Sequence, residues 1–221
     1  MTEADHRIVS DAVAAAEAGT DGEIVTIVAV SSDSYRDVAL HYAVLAMLAV
    51  PVILALLPRR WIEWSAGLLL GWNGTWERVP AMIALFALLA LAFLFVRFAL
   101  ATDRVRLALT PGPTKTRRVR RRALAHFRAT AERRTRGRTG ILIYLSLAER
   151  RAEIVADAAI ASKVAPETWG AAMALLDDEA RDGRVAQGMA AAVTAVGAVL
   201  AEHLPRSAQD SNELPDRLIE L

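Results

Sequence analysis

Cysteine is absent from this 221-residue chain, and lysine is nearly absent. Without cysteine the protein has no disulfide bond, thiolate metal site or cysteine nucleophile, although it fits any cellular compartment. Arginine supplies 24 of the 26 basic residues, and the only lysines are Lys115 and Lys163. Residues 1–7 lack the apolar segment of a cleavable signal peptide, so we expect none. The net charge of +1 does not point to a nucleic-acid partner.

Formal charge is also missing from two long apolar segments. Residues 38–57 carry none, and residues 79–100 carry only Arg97, which lies near their end. About 20 apolar residues are enough to cross roughly 30 Å of hydrocarbon as a helix. The alternative is a pair of buried core helices, but both segments are apolar all round and lack a polar face. The sequence therefore predicts a transmembrane hairpin over residues 38–100.

The connection between these segments, residues 58–78, contains four of the five tryptophans in the chain. Tryptophan concentrates at membrane–water interfaces, where its ring is apolar and its N–H finds a polar partner. Residues 65–71 are apolar but too short to span the bilayer. We expect a Trp-rich loop that anchors the hairpin at the outer interface, and a small periplasmic site there is the alternative.

Basic residues are concentrated directly after the second apolar segment. The positive-inside rule places this side in the cytoplasm, and two spans would return the N-terminal part to the same side. We therefore expect a two-pass protein of the inner membrane with a cytoplasmic soluble domain. Anionic headgroups attract basic segments next to a span, whereas nucleic-acid binding would call for an aromatic platform that this segment lacks. The arginines expected to face the lipid are Arg117, Arg118, Arg120, Arg121 and Arg122.

Apolar periodicity and β-branched runs predict the elements on both sides of the hairpin. They are a helix at 5–18, a strand at 23–31, a helix at 116–136, strands at 140–147 and 151–156, and helices at 166–181 and 184–203. One strand and one helix cannot bury a core alone, so the two sides should form one domain. The predicted fold is α/β, a three-layer α/β/α sandwich with a small mixed sheet, interrupted by the two-helix hairpin.

The domain assignment follows from that order of elements. Residues 1–37 form the first part of the α/β domain, residues 38–100 form the hairpin, and residues 101–205 complete the domain. Residues 206–221 are polar, and we expect them to be a disordered tail.

Carboxylates near the predicted element ends suggest the hypothesis of a metal site. Asp178 and Asp182 crowd a helix C-terminus, where the helix dipole disfavours negative charge and a cation would offset it. Calcium or magnesium prefers clustered oxygen ligands. The candidate ligands are Asp21, Glu23, Asp157, Asp178 and Asp182. The alternative is a solvated acidic face paired with the arginine-rich helix. No pattern identifies a catalytic residue: the chain lacks a nucleophile elbow, a P-loop and paired histidines.

Several segments together resemble the TPM domain family, which is named for thylakoid lumen, photosystem and membrane members. They are residues 22–25 (GEIV), 138–151 (RTGILIYLSLAERR), 153–157 (EIVAD), Gly183, Gly188 and 203–205 (HLP). The resemblance covers residues 3–32 and 118–205. It implies an α/β/α sandwich and a loosely defined role, which is acid phosphatase activity in some members and photosystem repair or assistance to membrane complexes in others. Calcium binding is also implied for some members.

The chain departs from many members of that family in two ways. The hairpin interrupts the domain, and the charge pattern places the domain in the cytoplasm, whereas many relatives work in a lumen or periplasm. We therefore expect a membrane-anchored TPM-like protein that acts as an interaction or assembly and maintenance factor, with the bilayer, anionic headgroups and another membrane protein as partners. The alternative is a metal-assisted, phosphatase-like hydrolase that uses the clustered carboxylates.

Overall fold

The computed structural model describes residues 1–70, 77–131, 138–207 and 213–221. The chain divides into two compact units. The α/β unit comprises Met1–Asp33 and Pro111–Leu221, and the inserted unit comprises Ser34–Thr110. Along the sequence, the inserted unit therefore interrupts the α/β unit.

The chain contains both helices and strands, and helices are the more numerous among the described elements. The described helices are α1 (Glu3–Glu17), α2 (Arg36–Leu56), α3 (Arg59–Leu70), α4 (Arg78–Ala99), α5 (Asp103–Leu109), α6 (Gly112–Thr130), α7 (Ala158–Ala161), α8 (Gly170–Arg181) and α9 (Val185–His203). The described strands are β1 (Glu23–Ala29), β2 (Gly140–Ser146), β3 (Arg151–Ala156) and β4 (Ile219–Glu220). A 3₁₀ turn, Pro166–Trp169, precedes α8.

The strands form one small mixed sheet in the order β3-β2-β1-β4. β1 and β2 run parallel, with Glu23 opposite Gly140 and Ala29 opposite Ser146. β3 runs antiparallel to β2, and β4 runs parallel to β1. All seven residues of β1 and of β2 are buried, which explains why both strands have continuous apolar and β-branched sequences. The mixed α/β class and the small mixed sheet are thus confirmed.

Alternate residues of the central strands belong to two separate apolar clusters, as the two-residue period of a strand requires. Ile24 and Val28 of β1 pack with α1, α8 and α9. Val25 and Ile27 pack with the buried residues of α6. The α6 side contributes Val119, Ala123, Phe127 and, just beyond the helix, Ala131. Each set of helices therefore has its own apolar face of the sheet.

The C-terminal segment differs from the sequence expectation. A disordered tail is predicted over residues 206–221, and this prediction is wrong for residues 213–221. Leu214 and Leu218 are buried, and β4 adds to the sheet with Ile219 opposite Ile27. A two-residue strand carries too little pattern to be recognised in a polar segment. Residues 208–212 lie outside the described part of the chain.

Residues 58–78 also differ from the expected loop, because α3 occupies Arg59–Leu70. Trp61 and Trp64 lie on this helix with their ring centroids 6.1 Å apart in an edge-to-face arrangement. Trp72 and Trp76 lie outside the described residues. Likewise, α6 begins at Gly112 rather than at residue 116, and its predicted end at residue 136 falls in the undescribed range 132–137.

Three described helices are long and apolar enough to cross a membrane by length and composition: α2, α4 and α9. Their most apolar windows have mean hydropathies of 2.3, 2.8 and 1.5, and 17%, 0% and 44% of those windows are buried. α2 and α4 pack against each other in the inserted unit. α9 belongs to the apolar cluster of the α/β unit.

Candidate functional site

The surface of α6 carries a dense group of basic side chains. Val119, Ala123 and Phe127 are buried against the sheet. This packing fixes the rotation of the helix about its axis and turns most of its arginines outward. Arg117, Arg120, Arg121 and Arg122 are exposed, whereas Arg118 is partly buried. The five arginines predicted to face lipid therefore do not share one environment.

Two of these arginines hold Asp33, the last residue of the α/β unit before the insertion. Arg118 donates to Asp33 Oδ2 at 3.0 Å, and Arg121 donates to the same oxygen at 3.3 Å. The Arg118 side chain is only 16% exposed. Its charge is thus paired with a carboxylate of its own domain, and its contact with lipid stays a prediction. The pair ties the segment that leads into the inserted unit to the helix that follows it.

A third arginine lies over the edge strand. Arg120 is 3.5 Å from Glu153, whose side chain is 14% exposed. Burial raises the pKa of Glu153, and the positive charges of Arg120 and Arg151 partly offset this effect. Arginines on the surface of α6 are therefore paired with Asp33 and Glu153 of the same α/β unit. Arg117 and Arg122 have no carboxylate partner among the described residues.

The structure does not gather the five candidate metal ligands. Asp157 caps α7 by accepting a hydrogen bond from the backbone N–H of Ala158 at 2.7 Å. Asp178 pairs with Arg181 at 3.1 Å, and Asp182 pairs with Arg184 at 2.8 Å. Arginines thus offset the negative charge at the C-terminus of α8.

The remaining two candidate ligands fasten the C-terminal segment. Asp21 accepts a hydrogen bond from the backbone N–H of Ser207 at 2.7 Å. Glu23 is buried and accepts hydrogen bonds from the backbone of Glu213 and Leu214 at 3.2 and 3.1 Å. Over the described ranges, no group of three or more histidine, aspartate or glutamate side chains could hold a metal ion.

The structure contains a polar cluster at the carboxyl ends of β1 and β2 that the sequence did not predict. The carboxylate of Glu149, which is buried, accepts hydrogen bonds from the backbone N–H of Ser32 at 3.0 Å and from the hydroxyl of Ser31 at 3.2 Å. The hydroxyl of Ser146 also donates to this carboxylate. More than a hundred residues separate Ser32 from Glu149, so no local pattern could have revealed the contact.

An aromatic pair extends this cluster toward α6. The hydroxyls of Tyr144 and Ser32 are 3.1 Å apart, and the Tyr144 ring stacks on His126 with 6.0 Å between centroids. Burial raises the pKa of Tyr144, and burial together with the charge of Arg122 lowers the pKa of His126. Ligands of open α/β sheets often bind at the carboxyl ends of parallel strands. Here Tyr144 and Ser146 are fully buried. The segment after β1 that contains Ser31 and Ser32 occupies the carboxyl ends of the two strands.

The opposite end of the sheet carries a second group of acidic side chains. Glu17 accepts a hydrogen bond from the backbone N–H of Ile24 at 2.6 Å. Burial raises the pKa of Glu17 to about 8; the hydrogen bond from Ile24 opposes the rise, and the carboxylates of Glu23 and Asp216 add to it. These groups border a cavity of about 120 Å³ together with Arg206. Asp216 lies in the segment that the sequence assigns to a disordered tail, so this group was missed.

The comparisons with known proteins give one structural likeness. No family model matches the chain, and no curated protein matches it. Among solved structures, it is similar to the NMR structure of BA42 protein from the psychrophilic bacterium Bizionia argentinensis, with a TM-score of 0.56 and 16% sequence identity. The match covers 100% of this chain and 95% of that one. At this identity the likeness indicates a common fold alone.

Proposed function

We propose that this chain is a membrane-anchored, TPM-like domain protein that acts as an interaction or assembly and maintenance factor at the membrane. Its α/β unit is a three-layer α/β/α sandwich. α2 and α4 cross the inner membrane as a two-helix hairpin inserted into that sandwich. The α/β unit lies on the cytoplasmic side, where it contacts anionic headgroups and another membrane protein.

The pairing of β1 with β2 is the observation that carries this proposal. β1 ends at Ala29 and its parallel neighbour β2 begins at Gly140. Two strands of one sheet must lie on the same side of a membrane, so the chain between them has to cross an even number of times. α2 and α4 are the candidate spans in that interval. Two crossings satisfy the requirement, whereas one would separate the strands.

Exposure of apolar side chains favours α2 and α4 as spans over α9. No residue of α4 is buried, and Phe86, Phe95 and Phe98 are each more than 70% exposed. An exposed apolar surface of this kind requires lipid or a protein partner to cover it. α9, by contrast, buries eight residues and packs with α1 and α8. Its hydropathy is that of a core helix in an α/β domain.

The segments that resemble the TPM family lie next to one another in the sheet. Residues 22–25 begin β1, residues 138–151 span β2 and the turn after it, and residues 153–157 complete β3. The interaction role is favoured because the described residues bring no nucleophile, base and metal ligands together in an open cavity. No observation favours the hydrolase alternative, and its five carboxylates have separate structural partners.

Two measurements test this proposal. Alkaline carbonate washing of membranes should leave the full-length protein in the pellet, and release into the supernatant would contradict the hairpin. Purified protein should not hydrolyse p-nitrophenyl phosphate with calcium or magnesium present. Hydrolysis that is abolished in an Asp157→Ala, Asp182→Ala double variant would replace the interaction role with the metal-assisted hydrolase.

A further inference from the structure

The edge strand β3 meets α6 along a seam, a line of contacts between alternate residues of β3 and one side of the helix. Val155 packs with the apolar cluster that contains Phe127. Glu153 lies within 3.5 Å of Arg120. Arg151, at the start of the strand, comes against the first turn of α6, since a Cβ placed on Gly112 would lie 3.5 Å from its guanidinium nitrogen.

The contacts along this seam are apolar at Val155 and ionic at Glu153. At Arg151 the strand and the helix border a cavity of about 540 Å³. It is lined by Gly112, Pro113, Thr116, Arg117 and Arg151. Two guanidinium groups thus border one cavity, and none of its lining residues is acidic. Like charges repel each other across such a space unless an anion lies between them.

Arg151 also carries an unused hydrogen-bond donor. Its Nε is shielded from solvent and has no hydrogen-bond partner in the described part of the chain. A buried donor that loses water without gaining an acceptor is unfavourable. Within the described ranges, Arg117 donates only to the hydroxyl of Thr114, at 3.4 Å. Both arginines can therefore turn donors toward the cavity.

We propose that this cavity binds the phosphate group of an anionic lipid headgroup, with Arg151 and Arg117 as its two cationic partners. Planar guanidinium groups bind phosphate through two parallel hydrogen bonds, and Arg151 and Arg117 both line the cavity. The inference rests on the proposed function, because it requires the α/β unit to lie next to a leaflet. It goes further by assigning headgroup binding to one cavity rather than to the basic surface as a whole.

Chain length favours a lipid as the source of the phosphate. Gly112 follows Ala99, the end of the candidate span α4, by 13 residues. That tether is at most about 45 Å long when fully extended, and the seven residues of α5 shorten it. A cavity held so near a bilayer meets headgroups at a high effective concentration, whereas a soluble phosphate ester has to reach it from dilute solution.

The test uses the full-length protein purified in dodecyl maltoside. Dihexanoyl phosphatidylglycerol, dihexanoyl phosphatidylcholine and inorganic phosphate are titrated separately, and the apparent Kd of each is taken from the shift in melting temperature. Arg151→Gln removes one of the two guanidinium groups, and Gly112→Leu places an apolar side chain in the cavity next to Arg151 while keeping both arginines. Arg122→Gln is the matched control, because it removes one exposed charge from the same helix outside the cavity.

The proposal predicts that phosphatidylglycerol binds the unaltered protein more tightly than phosphatidylcholine or phosphate. Arg151→Gln and Gly112→Leu should weaken that binding about tenfold, the loss expected for a charge-assisted contact, and Arg122→Gln less than twofold. Equal weakening by Arg151→Gln and Arg122→Gln would overturn the assignment of binding to this cavity but leave docking to anionic lipid in place. If the unaltered protein shows no preference for phosphatidylglycerol, binding in the cavity and docking to anionic lipid are both contradicted. Inorganic phosphate that binds as tightly as phosphatidylglycerol would overturn the lipid as occupant.

Discussion

Arg118 and Asp33 are hydrogen-bonded at 3.0 Å although 85 positions separate them in the sequence. The bond joins the segment that precedes the inserted unit to the helix that follows it. Both side chains are largely buried, with 16% and 22% of their surface exposed. The contact therefore closes the α/β unit at the point where the chain leaves it for the insertion.

Arg118→Gln should destabilise the α/β unit. The substitution removes a charged donor from Asp33, and we expect the free energy of unfolding to fall by about 1–2 kcal/mol, since the pair is sheltered but not fully buried. Urea unfolding of the protein in detergent measures this change. Arg121→Gln is the control, because Arg121 contacts the same oxygen but is 76% exposed. A larger loss for Arg121→Gln than for Arg118→Gln would show that Arg118 does not make the dominant contact.

Glu149→Gln should cost more stability than any change to an exposed carboxylate. An amide nitrogen in place of one carboxylate oxygen would confront donors from Ser31, Ser32 and Ser146. A buried mismatch of this kind costs about 2–3 kcal/mol, whereas Glu202→Gln on the exposed surface of α9 should change stability by less than about 0.5 kcal/mol. Similar melting temperatures for the two variants would mean that Glu149 does not anchor the segment that contains Ser31 and Ser32.

Glycine substitutions in the helices should have opposite effects at two sites. A Cβ on Gly197 of α9 would lie 2.5 Å from the Cβ of Ala16 in α1, so Gly197→Ala should force the two helices apart and cost about 1–3 kcal/mol. Gly170, at the start of α8, has nothing within 4 Å of the same position and a helical backbone conformation. Gly170→Ala should therefore stabilise the protein by about 0.5–1 kcal/mol. Thermal unfolding of the two variants measures both changes. A Gly197→Ala variant whose melting temperature is not lowered would contradict the close α1–α9 contact.

The contribution of Glu17 to stability should fall as the pH rises from about 4.5 to about 8. The folded state raises the pKa of Glu17 to about 8 from the model-compound value of 4.5. Within that window the folded protein keeps a proton that the unfolded chain releases, so raising the pH favours unfolding. Above the window both states are ionised and the slope disappears.

Glu17→Gln isolates this effect because glutamine is neutral at every pH. The difference in melting temperature between Glu17→Gln and the unaltered protein should grow in favour of glutamine from pH 5 to pH 8. It should then stay constant at higher pH. A difference that does not change with pH would mean that Glu17 titrates normally in the folded protein.

The sequence predicted those elements whose own residues determine them. The antiparallel pair of strands was predictable because the segments of β2 and β3 are β-branched, apolar and separated by a short polar turn. The bounds of α2 and α4 differ from the predicted apolar segments by two residues or fewer, because a long uncharged run permits few other structures. In both cases the residues of the segment itself are enough to predict its structure.

The features that sequence analysis missed depend on residues far apart in the chain. Glu149 meets Ser32 only after the sheet has formed, and β4 is defined by its pairing with Ile27 rather than by its own residues. The metal hypothesis, by contrast, left out a feature that is local. Asp178 and Asp182 have basic partners three and two residues away, and these arginines offset the negative charge of the helix end.

The even number of crossings between β1 and β2 is tested most directly by the sidedness of two single-cysteine variants, which the cysteine-free chain makes possible. Glu63→Cys places a thiol on α3 of the inserted unit, and Glu3→Cys places one on α1 of the α/β unit; the replaced side chains are 65% and 92% exposed. A membrane-impermeant maleimide is applied to intact cells and to permeabilised cells as a control. We expect the reagent to label position 63 but not position 3 in intact cells, and to label both positions in permeabilised cells. Labelling of position 3 alone in intact cells would reverse the orientation, and equal labelling of both positions in intact cells would contradict the two crossings.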